Sequence, residues 1–196
     1  MKHVNGLRLA VALFAALMAA SCSSPTPKLY TIAPIPGPEQ FGTPKVVEVK
    51  GVGVAQYLQR SPIVQSSDGY RVDLRPNDWW GEPVDAMLGR VLIEDLAQRL
   101  PHVTVFSSAG AVTASPDASV ALEVQRMDLD QGGNLVFLAQ SSVSFKNRQS
   151  PDTRSFRISL PPPSPGVDGQ VAAISTAVGQ VADGIAAMLT HKAYAK

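Results

Sequence analysis

The chain has 196 residues, with 17 Lys and Arg against 16 Asp and Glu, 45% hydrophobic residues and a single cysteine. A near-neutral charge without a basic cluster excludes the electrostatic footprint of a nucleic-acid binder, and one cysteine excludes an intramolecular disulfide. The length suits one globular domain with a core of its own.

Lys2 and Arg8 are the only charged residues before position 22, and residues 9–20 read "LAVALFAALMAA". A basic start, a short apolar run and the small residues Ala19, Ala20 and Ser21 are the layout of a secretory signal peptide over residues 1–21. Twelve helical residues rise only about 18 Å, short of the ~30 Å hydrocarbon core, so the run is no permanent span. Cleavage there leaves Cys22 as the first residue of the mature chain. "AASC" resembles the lipobox of bacterial lipoproteins, with Ala19 where leucine is usual. That resemblance implies a diacylglycerol on the Cys22 sulfur and a fatty chain such as palmitate on the new amino terminus. The other reading is a soluble secreted protein with a stray thiol. Each buried methylene contributes about 0.8 kcal/mol, so two or three chains on one residue hold a protein to a membrane essentially permanently. Ser23 follows Cys22 in place of the aspartate that resembles an inner-membrane retention signal. Its presence points to the outer membrane, with the body facing the periplasm.

Residues 22–45 are rich in proline, glycine and serine and are expected to form a poorly packed tether. Within it "KLYTIA" has the makings of one strand, with Leu29 and Ile32, or Tyr30, facing the core. The domain proper is expected over residues 46–192. "VVEVKGVGV" alternates as a strand, and "SPIVQSS" and "GYRVDL" flank Asp68-Gly69, a strong hairpin signal. The period then changes. Val84, Met87, Leu88, Val91, Leu92, Leu96 and Leu100 recur at helical spacing. Asn77 or Asp78 is the expected cap, Pro83 belongs to the opening turn, and Pro101 ends the helix.

"HVTVF", "SVALEVQRMDLD", "NLVFLAQSSVSF" and "TRSFRISL" form a second β block, with "QGG" as a hairpin turn. "PPPSPG" interrupts it, and a last helix follows with Asp168 as its expected cap. Its seam is Val171, Ile174, Val178, Val181, Ile185 and Met188, beside alanines that permit close approach. The pattern predicts an α+β sandwich, with two main helices on one face of a mainly antiparallel sheet.

Chemistry-bearing constellations are sparse. His102 and His191 stand alone, no histidine pair has metal-ligand spacing, and there is no G-x-S-x-G elbow. Asp128 and Asp130 alternate on a strand end and read as a solvated face beside a turn rather than an acid–base pair. "GVG" at 51–53 lacks the following helix that phosphate binding needs. No catalytic residue, metal site or cofactor is expected.

"VEVKGVGVAQYLQRSPIV" followed by "RPNDWWGEPVDAMLGRVLIEDLAQRL" resembles the ABC-type transport auxiliary lipoproteins, within them the PqiC (paraquat-inducible protein C) type. The matching pieces are Val54-x-x-Tyr57-Leu58-x-Arg60, Ile63-Val64, and Trp80-x-Glu82-Pro83 leading into a helix with Leu96-Ala97-x-x-Leu100. Ala55, Trp79 and Gly81 depart from the family's usual proline, arginine and alanine. The resemblance implies a non-enzymatic subunit of a lipid-transport system. Its partners would be a periplasmic tube of MCE (mammalian cell entry) domains and that tube's inner-membrane protein. The lipoprotein, a homo-oligomeric ring, would hold or receive the end of the tube at the outer membrane. Tyr57, Arg60 and Trp79 are the candidate partner-binding residues, each weighed against a packing role, and Trp80 is expected to plug the core. Two rivals remain, an assembly lipoprotein partnering a β-barrel and a hydrolase acting through His102.

Overall fold

The computed structural model describes residues 26–42, 44–68 and 70–190. The expected signal peptide, Cys22 and His191 lie outside them. Among the described residues the elements run β1 (Lys28–Tyr30), β2 (Val46–Val49), β3 (Gly53–Val54), β4 (Pro62–Asp68), β5 (Arg71–Trp80), α1 (Val84–Arg99), β6 (Thr104–Ser107), β7 (Ala118–Leu129), β8 (Leu135–Phe145), β9 (Asp152–Leu160) and α2 (Gly166–Thr190).

The long strand β7 is the spine of the sheet. One edge pairs antiparallel with β8 along its whole length, from Ala118 opposite Phe145 to Leu129 opposite Leu135. Its other edge receives β2, then β3, then the single pair Ser66–Leu129 from β4, all parallel. Beyond β8 lies β9, beyond β2 lies β6, and beyond β4 lie β5 and β1. The sheet is therefore mixed, where a mainly antiparallel one was expected. Hairpins such as β4–β5 and β7–β8 are antiparallel because short turns join them. By contrast, β2 and its parallel neighbour β6 are separated by α1, the kind of crossover that parallel pairing requires. The α/β sandwich itself is as expected, with both helices packed against each other and over the sheet.

A bulge in β7 between Val124 and Arg126 resets the alternation. Ala118, Val120, Leu122 and Val124 face the core before it, and Met127 does so after it. A one-residue slip of this kind exchanges the two faces. Asp128 thereby turns away from the helices.

The apolar face of α1 is as predicted, since Val84, Met87, Leu88, Val91, Leu92, Leu96 and Leu100 are all buried. Its start is not. Asn77 and Asp78 cap nothing, because β5 runs on to Trp80, held by Tyr30 of β1 opposite Trp80 and by Pro62 of β4 opposite Trp79. A register shift over this stretch accommodates Pro76, which has no N–H to offer a ladder. The helix opens after Pro83 without a side-chain cap. Asp168 likewise lies in the first turn of α2 rather than at its cap, and helps there through the dipole.

In α2 the predicted seam is buried except for Met188, which is partly buried, but so are Val167, Ala173, Ala177, Ala182, Ala186 and Leu189. Part of the extra cover comes from residues 31–42, where a short strand to residue 33 with Ile32 or Tyr30 inward, and then a poorly packed tether, are expected. The strand ends at Tyr30, and residues 31–42 form a strap bound to both helices. Ile32 is buried, the Ala33 N–H donates to Ser175 Oγ (3.2 Å), and the Ile35 N–H donates to Asp95 Oδ1 (2.8 Å). The Gln40 N–H donates to the Arg99 carbonyl (2.7 Å) and the Thr190 hydroxyl to Gln40 Oε1 (3.1 Å). Pro34, Pro36 and Pro38 suit such a strap because they bring no N–H donors that would need partners. Gly37 passes so close to the Arg99 guanidinium that no Cβ fits.

Candidate functional site

The two motif stretches, about twenty residues apart, converge on one place. The Trp80 N–H donates to the Ser61 carbonyl (2.7 Å) and the Gly81 N–H to the Tyr30 carbonyl (2.8 Å), so the end of β5 is tied to both neighbouring segments. A 3-10 turn at Gln56–Leu58 buries Leu58 and presents the following residues outward. Between residues 59–61 and residues 80–85, where α1 begins, lies an open cleft of about 480 Å³.

Arg60, Trp80, Glu82, Pro83, Val84 and Asp85 are among its lining residues. Trp80 is 6% exposed and also fills the core, as expected. Arg60 is exposed, its Nε donating to the Tyr57 carbonyl at 3.0 Å. Glu82 on the opposite rim accepts from Arg90 (2.6 Å), which also donates to Thr31 (3.0 Å). The cleft thus offers one exposed guanidinium, two carboxylates and an apolar wall. That chemistry suits docking of a polar segment carrying an apolar side chain.

Of the three candidate partner-binding residues, Arg60 lines the cleft and the other two do not. Trp79 is half-buried on β5, and its indole N–H donates to the Pro76 carbonyl (3.0 Å). Tyr57 donates its hydroxyl to Asp128 Oδ2 at 2.8 Å. Burial first, and the neighbouring Asp128 second, push the Tyr57 phenol well above its ordinary value of 10.0.

Asp128 corrects the expectation of a solvated carboxylate pair, for it is fully buried. Besides Tyr57 it accepts from the Ser67 hydroxyl (2.7 Å), the Ser67 N–H (3.3 Å) and Arg126 Nε (2.8 Å). Asp130 instead orders the β7–β8 turn, accepting from the Asn134 N–H (2.9 Å), with Gly133 at a φ of 78°. The two aspartates hold structure together. Sequence spacing gave no sign of this, because Tyr57 and Ser67 lie 71 and 61 residues from Asp128.

His102 is exposed, with its ring 5.9 Å from that of Phe41. Among the described residues no three His, Cys, Asp or Glu side chains stand close enough to hold a metal ion.

Fold and cleft together define an α/β sandwich with an open cleft at a helix entrance. The family described as ABC-type transport auxiliary lipoprotein component matches residues 29–186, and the chain belongs to it. No curated protein matches the chain. Among solved structures, an uncharacterized protein is 21% identical with a TM-score of 0.69, over 83% of this chain and 97% of its own. A Xanthomonas campestris protein of the DUF330 family is 17% identical with a TM-score of 0.63, over 83% and 93%. Both share the fold.

Proposed function

We propose that this protein is an outer-membrane lipoprotein and a non-enzymatic subunit of an MCE-type system moving lipid between two membranes. Its acyl chains on Cys22 fix it to the membrane, and its folded body holds or receives the periplasmic end of the tube. Copies arranged as a closed ring would match the rounded end of such a conduit. The observation that carries this reading is the convergence of the family-type motif residues Arg60, Trp80, Glu82 and Pro83 on one open cleft.

Affinity purification of the lipidated protein from detergent-solubilised envelopes tests the reading. The expected co-purifying protein carries MCE domains. Recovery of a β-barrel protein in its place would make this an assembly lipoprotein.

A further inference from the structure

Tyr70, Val72 and Leu74 are exposed large apolar side chains that follow one another within five residues at the turn end of the β4–β5 hairpin. Such clustering marks a contact surface rather than chance exposure. Val72 and Leu74 share one face of β5 through the period of two. Leu74 stands opposite the buried Val64, and Val72 opposite Ser67, whose hydroxyl donates to Asp128 on the side turned away from the helices. Val64 still has cover, being 3% exposed. Toward the turn the cover is lost. Leu74 is 36% exposed, Val72 42%, and Tyr70 entirely.

The direction of the chain says what lies there. β1 runs parallel to β5 with Lys28 opposite Asp78, so the chain preceding Lys28 leaves toward the Arg71 end of β5. Cys22 is six residues before Lys28, a reach of at most about 20 Å. Val72 is likewise six residues before Asp78, so β5 covers much the same span in the same direction. A bilayer holding acyl chains on Cys22 is therefore within the chain's reach of the Arg71 end of β5.

We infer that the β4–β5 hairpin is a second membrane contact, which seats Tyr70, Val72 and Leu74 in the lipid interface beside the acylated terminus. The inference rests on the lipoprotein reading. A tyrosine at the tip suits the interfacial level, where amphipathic rings concentrate, and Val72 and Leu74 add apolar area to the same contact. The anchor supplies affinity, and the hairpin fixes how the body stands on the membrane. The opposite end of the sandwich is thereby left free for partners.

The test uses the full lipidated protein, carrying Tyr70→Trp, in vesicles of phosphatidylethanolamine and phosphatidylglycerol with brominated acyl chains. Unsubstituted protein supplies the background from Trp79 and Trp80, and Val72→Trp is a second probe should the first variant misfold. The emission added by the new tryptophan is expected to be largely lost in brominated vesicles and retained in unbrominated ones. Flotation of the same samples reports the anchor separately. Protein that floats with its added emission unquenched overturns the hairpin contact and leaves the anchor standing, and a second copy covering the patch would give that result. Protein that does not float overturns the lipoprotein reading, and this inference with it.

Discussion

Arg99, at the end of α1, and Asp183, in α2, meet in a 2.6 Å ion pair, and the same guanidinium holds the N-terminal strap. Its Nη1 donates to the carbonyls of Ile35 (2.9 Å) and Asp95 (3.1 Å), and its Nη2 to that of Gly179 (3.0 Å). Arg99 is 1% exposed, so these acceptors have no easy recourse to water if the cation is removed. Breaking a buried pair by deleting one partner typically costs about 3–5 kcal/mol. Arg99→Met is expected to lose at the lower end of that range, because Asp183 is 40% exposed and can hydrate. A lowered urea midpoint checks the loss. Faster proteolysis between residues 31 and 42 checks the release of the strap.

Asp95 gives this clasp a pH dependence. Its carboxyl is raised from 3.8 to about 6, chiefly by burial, against the opposing pull of the Ile35 N–H and Arg99. One oxygen, Oδ2, has no hydrogen-bond partner among the described residues. A folded-state pKa above the unfolded one means that the fold favours the protonated form. This contribution is fully present below the unfolded value, falls as pH rises toward about 6, and levels off above it. A shift of this size corresponds to about 3 kcal/mol. Chemical denaturation from about pH 4 to about pH 7.5 should show the decline in the parent protein. In Asp95→Asn it should be flattened, with the Ile35 contact kept through the amide oxygen. An unchanged slope in the variant would remove Asp95 as the source.

Much of the fold was legible because it is written in periods. The α1 face, the α2 seam and the β7–β8 hairpin follow from spacing alone, and each is buried or paired as expected. The strap was missed because composition reported its prolines but not their surroundings. Its partners Asp95, Arg99 and Ser175 lie 60 or more residues away. The start of α1 was misplaced because Asn77 and Asp78 have cap chemistry, while pairing with β1 keeps Asp78 in a strand. For the cleft, the motifs named the lining residues but local sequence did not say that they meet.

The Asp128 cluster separates two substitutions that sequence alone would rank alike. Tyr57→Phe removes one hydrogen bond to a carboxylate that keeps Ser67 and Arg126, and is expected to cost about 1.5–3 kcal/mol. Asp128→Ala orphans all of these donors at once and opens a cavity, so its thermal midpoint should fall further. A larger loss for Tyr57→Phe than for Asp128→Ala would show that Asp128 is not the hub of the cluster.

The anchor makes a prediction in cells. Cys22→Ser removes the only thiol in the chain and with it every site for thioether-linked lipid. Labelling with a radioactive fatty acid is expected to fall to background. Retention of label would place the acyl group elsewhere and end the lipobox reading.

The cleft can be tested apart from the fold through Arg60. Its guanidinium is exposed and makes one hydrogen bond, to the Tyr57 carbonyl. Surface substitutions of this kind usually change stability by no more than about 0.5 kcal/mol. Arg60→Glu nevertheless reverses the charge on one rim, opposite Glu82 and Asp85, and leaves the cleft acidic throughout. Rim charges act mainly on association rate and its salt dependence. The variant is expected to melt like the parent, remain in the membrane fraction and lose recovery of the proposed MCE-domain partner, with the deficit greatest at low salt. Full recovery at every salt concentration, from a variant of parental stability, would move the docking surface away from this cleft.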